Sequence, residues 1–184
     1  MLYTRKGDDG TTKAFNTKSG TRISKSSCQT ESLGVLDELN SFLGLSKVKS
    51  ANLDWLVCDK SLENIIFWVQ NSLFIIQAEV AGADKKIDES KIKEMENWID
   101  MIEKELPPIK TFFISGGTEL ASLFDVSRTL ARKAERIMVR SVEEGGVTLG
   151  PNTLVFLNRL SSLFYALARL TNHKFGIKEI PPVY

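Results

Sequence analysis

The sequence predicts an all-α protein, an up-and-down bundle of five helices with an extended N-terminal arm. Apolar residues recur at intervals of three and four along five segments, and no stretch between them alternates with the period of a strand. The 5 prolines stand at 107, 108, 151, 181 and 182, so residues 1–106 can hold long helices without interruption. With 184 residues, 42% of them hydrophobic, the chain supports one domain with a substantial core. That domain divides into an arm (1–27), a helical bundle (28–175) and a C-terminal tail (176–184).

The arm is polar, basic and rich in Gly, Ser and Thr, with no sustained apolar period. Its T-R-K-G-D-D-G-T-T-K stretch offers glycines for close backbone approach, amides and hydroxyls as donors, and the cations Arg5, Lys6 and Lys13, a set able to cradle phosphates. The spacing G-x-x-G-T-T-K is not that of a Walker loop and no strand precedes it, so a disordered tail is an equal reading. G-T-R-I-S-K adds Arg22 and Lys25.

The first helix, 30–46, follows from Leu33, Leu36, Leu39 and Leu43. Asp37, Asn40 and Gly44 fall beside these leucines, and a carboxylate on a core-facing edge is costly unless paired. Arg128, across a helix or subunit contact, is the economical partner for Asp37, in a structural ion pair, a catalytic role, or both. The second helix, 61–83, is apolar nearly all round. Glu63, Gln70, Gln77 and Glu79 interrupt it, and its longest unbroken apolar run, I-I-F-W-V, falls far short of the roughly 20 residues a bilayer requires. It reads as a central buried helix. The third, 88–106, carries Ile92, Met95, Ile99, Ile102 and Leu106 on one stripe and stops at Pro107-Pro108.

The fourth helix, 118–144, opens after I-S-G-G-T, whose amides form a ready anion site, and closes at Gly145-Gly146. It holds Arg128, Arg132, Arg136 and Arg140, each one turn from the next, which is unfavourable unless anions lie beside them. At roughly 100° per residue, Arg128, Arg132 and Glu135 border the buried face while Arg136 and Arg140 turn to solvent. A half-buried guanidinium needs a defined partner; a neighbouring acid serves, and so does a polyphosphate. The fifth helix opens at Pro151 and runs to 173. Asn158 and Ser161 fall on the face of Leu154, Leu157 and Phe164, and a buried amide there must bond another helix, a ligand or a ligand's metal ion. His173 reads as a C-terminal cap or a solvated residue, Phe112-Phe113 as core, and Cys28 and Cys58 as inert thiols.

A net charge of +1 excludes a strongly basic nucleic-acid binder, and any electrostatic function must come from local clustering. The 2 cysteines make no disulfide framework, and no Cys or His pair has metal-ligand spacing, so no protein-held metal centre is expected. The single histidine also excludes a di-iron bundle built on paired E-x-x-H motifs. The opening M-L-Y-T-R-K-G-D-D-G has the pattern of neither a secretory signal nor a presequence, so a cytoplasmic protein without membrane contact is expected.

Taken together, Y-T-R-K-G-D-D-G-T-T, L-D-E-L-N-S-F-L-G, F-I-S-G-G-T, R-T-L-A-R-K-A-E-R and L-N-R-L-S resemble the PduO-type ATP:cob(I)alamin adenosyltransferases, in five ordered blocks spanning residues 3–162. The resemblance implies a five-helix bundle assembled as a homotrimer, with ATP, Mg²⁺ and the corrinoid cobalamin at each subunit interface. It implies transfer of the 5′-deoxyadenosyl group of ATP to Co(I), with release of triphosphate. Thr4, Arg5, Gly7, Asp8, Gly10 and Thr11 match the segment that wraps the nucleotide, and Lys25 a lysine that reaches ATP. Arg128 and Arg132 match the helix-four arginines at the nucleotide and interface, Glu135 a neighbouring ATP contact, and Asn158 an asparagine near the metal and phosphates. Asp37 matches an aspartate that pairs with the first arginine across subunits, and Phe112 an aromatic that crowds the lower corrinoid face and displaces the axial base. The sequence differs from the family pattern at Leu33, Ser115, Asp125, Lys133 and Ser162. A corrinoid-reducing flavoprotein and an adenosylcobalamin-dependent enzyme are the implied partners. The rival readings are a non-catalytic ATP-binding regulator and a plain helical scaffold.

Overall fold

The computed structural model describes residues 3–14 and 21–184. Its long elements are five helices: α1 (Cys28–Ser50), α2 (Leu62–Val80), α3 (Glu89–Glu105), α4 (Glu119–Glu143) and α5 (Pro151–Lys174). Four start at an Ser, Thr or Asp cap whose side chain accepts an amide of the first turn: Ser27 from Thr30, Ser61 from Asn64, Asp88 from Ser90 and Thr118 from Ala121. Helix α5 starts at Gly150 with Pro151 in its first turn, and Gly150 has no capping side chain of its own. Glu79 of α2 substitutes: buried at 6% exposure, it accepts from the Gly150 amide at 2.6 Å and from the Thr153 hydroxyl.

Short antiparallel hairpins account for what periodicity passes over. Strands β1 (Thr11–Thr12) and β2 (Ile23–Ser24) pair within the arm, so its described part folds instead of trailing as a disordered tail. Strands β3 (Leu56–Val57) and β4 (Lys60–Ser61) flank Cys58 and Asp59, both at positive φ. That turn lacks the glycine by which sequence signals such a hairpin. Helix α1 also begins earlier and ends later than its leucine stripe.

Contacts fix the directions of the helices. Gln29 bonds the Val80 carbonyl and Gln70 the Asn40 carbonyl, so α1 and α2 are antiparallel. Ser32 meets Ser141 while Lys49 pairs with Glu119, so α4 also runs against α1. Arg159 pairs with Glu96 and Lys174 with Glu105, so α3 and α5 run together. The result is an up-down-up-down-up bundle, as expected. One continuous core fills it, from Leu36, Leu39 and Leu43 through Ile65, Ile66, Leu73 and Ile76 to Met95, Trp98, Phe124, Phe156 and Phe164, all at 0–1% exposure. Trp68 of α2 closes the ring, edge-on to Trp98 of α3 at 4.8 Å and beside Phe156 of α5 at 5.8 Å. No helix of the described residues is long and apolar enough to cross a membrane.

Candidate functional site

Helices α4 and α5 meet antiparallel along their whole length, and two hydrogen bonds fix their register. At one end Asn158 donates to Glu135 at 2.8 Å; at the other the Thr118 amide donates to Asn172 at 3.0 Å. Between these points the seam opens into a cleft of about 780 Å³, walled on the far side by residues 109–117 and the tail at 177–180. Arg128, Arg132, Ser161, Ser162 and Tyr165 line its floor, and Phe112, 80% exposed, stands in its wall. An exposed phenylalanine at such a mouth corrects the expectation that Phe112 belongs to the core; its partner Phe113 is half-buried against Arg169.

The cleft is electropositive. Lys110, Arg128, Arg132, Arg169 and Lys178 face it against the carboxylates of Asp125 and Glu179. Arg169 is neutralised by Glu179. Arg128 is not fully satisfied: its Nε is buried without a hydrogen-bond partner, and the nearest carboxylate oxygen, on Asp125, is 3.5 Å away. That distance is long for a hydrogen bond, so the Nε–H is left without a partner beside the cleft. Arg132 is exposed and forms no ion pair among the described residues. Burial pushes the Tyr165 phenol above its ordinary range, keeping it a neutral donor on this floor.

The I-S-G-G-T turn departs from its expected role. Gly116 and Gly117 both take positive φ, and three amides of the turn, those of Ile114, Gly116 and Thr118, are already used by the chain itself. Gly116 donates to Asp125 at 3.1 Å, Thr118 donates to Asn172, and Asn172 returns a bond to the Gly116 carbonyl at 2.7 Å. A side chain at Gly117 would collide with Asn172, its Cβ lying 2.3 Å from Oδ1. The turn therefore anchors the cleft wall.

Two further expectations change. Asp37 is exposed rather than on a core-facing edge, and it forms no ion pair among the described residues; the carboxylate beside Arg128 within one chain is Asp125. Asn158 is likewise exposed, one turn beyond Ser161 and Ser162, and is held by Glu135 on α4 and by Arg159, which donates to its Oδ1 at 2.8 Å. Each sits about 100° round its helix from a buried leucine, Leu36 or Leu157, outside the covered face.

In the arm, the Lys25 ammonium donates to the Gly7 carbonyl at 2.8 Å, which draws the Arg5 to Gly10 loop against the hairpin. Arg22 grips Thr11 through Oγ1 and the carbonyl at 2.6 and 2.8 Å. Asp9 accepts from the Thr11 hydroxyl and amide, which hold its carboxyl below the usual range. Thr4 caps the Lys6 amide at 3.4 Å, and Asp8 donates its amide to the Arg5 carbonyl at 3.4 Å. Arg5 adopts a positive φ of 59° and Gly10 one of 79°. None of the described arm residues lines the cleft of its own chain. Sequence reading also passed over Tyr165, Arg169 and Asn172. Their spacing after Ser161, every three or four residues, is the signal that could have found them.

Three of the family-pattern differences, Ser115, Asp125 and Ser162, line the cleft. Lys133 instead pairs with Glu38 at 2.6 Å, and Leu33 packs at the edge of the core. The Cys28 thiol bonds Glu144, and that bond raises it above its ordinary range, as befits an unreactive thiol. No group of three or more His, Cys, Asp or Glu among the described residues could hold a metal ion.

Comparison with known proteins agrees with this layout. A family model for cobalamin adenosyltransferases matches residues 2–171. The chain is 35% identical over 183 residues to a corrinoid adenosyltransferase of Bacillus subtilis (strain 168), covering 97% of this chain and 90% of that protein. It is 34% identical over 172 residues to the corrinoid adenosyltransferase PduO of Citrobacter freundii; that match takes in 94% of this chain and 50% of the relative, so the chain spans about half that relative's length. Among solved structures, a variant of the PduO-type ATP:corrinoid adenosyltransferase from Lactobacillus reuteri, complexed with cobalamin and ATP, superposes with a TM-score of 0.86 at 28% identity, covering 99% of this chain and 96% of that one.

Proposed function

The chain belongs to the cobalamin adenosyltransferase family, and from that membership we infer that it transfers the 5′-deoxyadenosyl group of ATP to the Co(I) centre of a reduced corrinoid, giving adenosylcobalamin and triphosphate. The observation that carries this reading for these residues is the orphaned Nε of Arg128, beside Arg132 with no ion pair among the described residues, in the cleft that also holds Phe112. A cleft with excess positive charge and an apolar wall suits a polyphosphate at one end and a large ring system at the other.

The chemistry asks little of the protein's own nucleophiles. Co(I) donates the electron pair that forms the bond to C5′, and the C5′–O bond breaks with its electrons leaving on triphosphate. Arg128 and Arg132 stabilise that departing charge. The floor of the seam, with Glu135 and Asn158 a turn away, aligns the nucleotide. Phe112 crowds the lower face of the corrinoid so that its axial base leaves, which eases reduction from Co(II). Mg²⁺ travels with the triphosphate as part of the substrate. Such an ion keeps most of its waters and needs only one or two protein oxygens, and the carboxyl oxygens of the half-buried Glu135 and the amide oxygen of the exposed Asn158 are suitable donors.

The assembly is proposed as a homotrimer. The arm's Thr4, Arg5, Gly7, Asp8, Gly10, Thr11 and Lys25 would then wrap ATP bound against the arginines of a neighbouring subunit, and the exposed Asp37 would pair with the neighbour's Arg128. That no described arm residue lines the cleft of its own chain leaves the arm available to a neighbour, in keeping with this arrangement. The protein is placed in the cytoplasm, supplied by a corrinoid-reducing flavoprotein and serving an adenosylcobalamin-dependent enzyme. Anaerobic incubation with ATP and chemically reduced cobalamin tests the activity. The absorbance change of carbon-cobalt bond formation, with stoichiometric triphosphate, is expected; ATP binding without either product would leave a non-catalytic regulator instead.

A further inference from the structure

Arg169 is the most deeply buried cation of the cleft, at 6% exposure, and stands about three turns along α5 from Asn158. Its guanidinium ties three separate segments together. It grips Glu179 of the tail in a two-pronged ion pair, Nε at 2.7 Å and Nη2 at 2.8 Å. The same Nη2 donates to the Pro107 carbonyl at 3.0 Å, where the cleft wall leaves α3. Its plane sits over the Phe113 ring at 5.4 Å, next in sequence to Phe112. One residue beyond Glu179, the Ile180 carbonyl accepts from the Ile114 amide at 2.9 Å, so the segment is held on both flanks of Phe112, at Pro107 and at Phe113 and Ile114. A buried bidentate pair of this kind is costly to desolvate and is weak evidence for stability, but it fixes geometry sharply.

We propose that Arg169 and Glu179 form a clamp that positions the Phe112 segment against the bound corrinoid, Arg169 acting as a positioning residue without touching the reacting atoms. The proposal rests on the adenosyltransferase reading above. Wall residues 109–114 have no secondary structure of their own. Their placement depends on the tail and on Phe113, and both depend on Arg169.

The test compares the wild-type protein with Glu179→Gln, Arg169→Lys and the conservative Glu179→Asp. In the first two, kcat/KM for the corrinoid falls about tenfold, in keeping with a small misplacement of a positioning group. The absorbance and paramagnetic-resonance signature of bound Co(II) corrinoid without its axial base weakens, while ATP affinity by calorimetry is unchanged. Glu179→Asp recovers part of the signature. Amide exchange at 109–117 accelerates in Glu179→Gln but not in α1 or α2. Wild-type exchange, corrinoid KM and spectra in both variants would overturn the clamp, as would an equal loss of ATP and corrinoid binding. Exchange is read without turnover, so an inactive wild-type protein whose 109–117 segment still loosens in Glu179→Gln refutes the activity and leaves the clamp standing.

Discussion

Removing the Asn172 side chain separates the anchoring of the cleft wall from the chemistry of the cleft. Asn172→Ala deletes the bonds to the Gly116 carbonyl at 2.7 Å and from the Thr118 amide at 3.0 Å. At about 1 kcal/mol for each partly buried bond, the loss is about 2 kcal/mol. For a chain of this length that lowers Tm by about 4–8 °C. Gly117→Ala attacks the same turn from the other side, through the Cβ placed 2.3 Å from Asn172 Oδ1 and the φ of 108° that L side chains rarely adopt. Alone it costs that collision plus about 1–3 kcal/mol of backbone strain. With residue 172 already alanine the collision is gone and only the strain remains. The two substitutions are therefore expected to be less than additive, with a coupling of at least about 1 kcal/mol in a double-mutant cycle read by thermal unfolding. Strict additivity, or an Asn172→Ala Tm within a degree or so of wild type, would refute the assigned network.

Phe112→Ala is expected to leave ATP affinity intact and to slow adenosylation from Co(II) far more than from chemically prepared Co(I); equal slowing from both would remove its role in displacing the axial base. Asp88 gives a pH prediction. The Ser90 hydroxyl and amide hold its carboxyl below the ordinary 3.8, so its contribution is present above the unfolded-state value and disappears as pH falls through the lower folded-state value. Asp88→Ala should lower Tm at neutral pH and bring the curves of variant and wild type together in acid, as checked by thermal melts from neutral pH down to about 3.

The bundle was legible because helices announce themselves through the same residues that pack them. Leu36, Leu39 and Leu43 predict α1 and are wholly buried in it. The boundaries come from capping, and Ser27 starts α1 at Cys28, two residues before the start at 30 that the leucine pattern suggests. The β3–β4 hairpin stayed hidden because Cys58 and Asp59 adopt positive φ without glycine. Within the site, the unusual spacing of Arg128 and Arg132 pointed to the cleft floor, whereas the G-G turn, expected as an anion site, forms part of its wall. Asp37 and Asn158 were misjudged because a residue at the edge of an apolar stripe lies inside or outside according to a neighbouring element that one-dimensional periodicity does not contain. Arg169 escaped notice for a related reason. Its partners, Glu179 and the Pro107 carbonyl, come together only when the tail folds back across the end of α3.

The central claim is that the guanidiniums of Arg128 and Arg132 hold the triphosphate of ATP. Calorimetric titration of ATP and Mg²⁺ into the Arg128→Ala, Arg132→Ala double variant, at matched oligomeric state, tests it most directly. With charged hydrogen bonds contributing about 1.5–3 kcal/mol each, affinity should fall by roughly a hundredfold or more; binding within about twofold of the wild-type value would contradict the account.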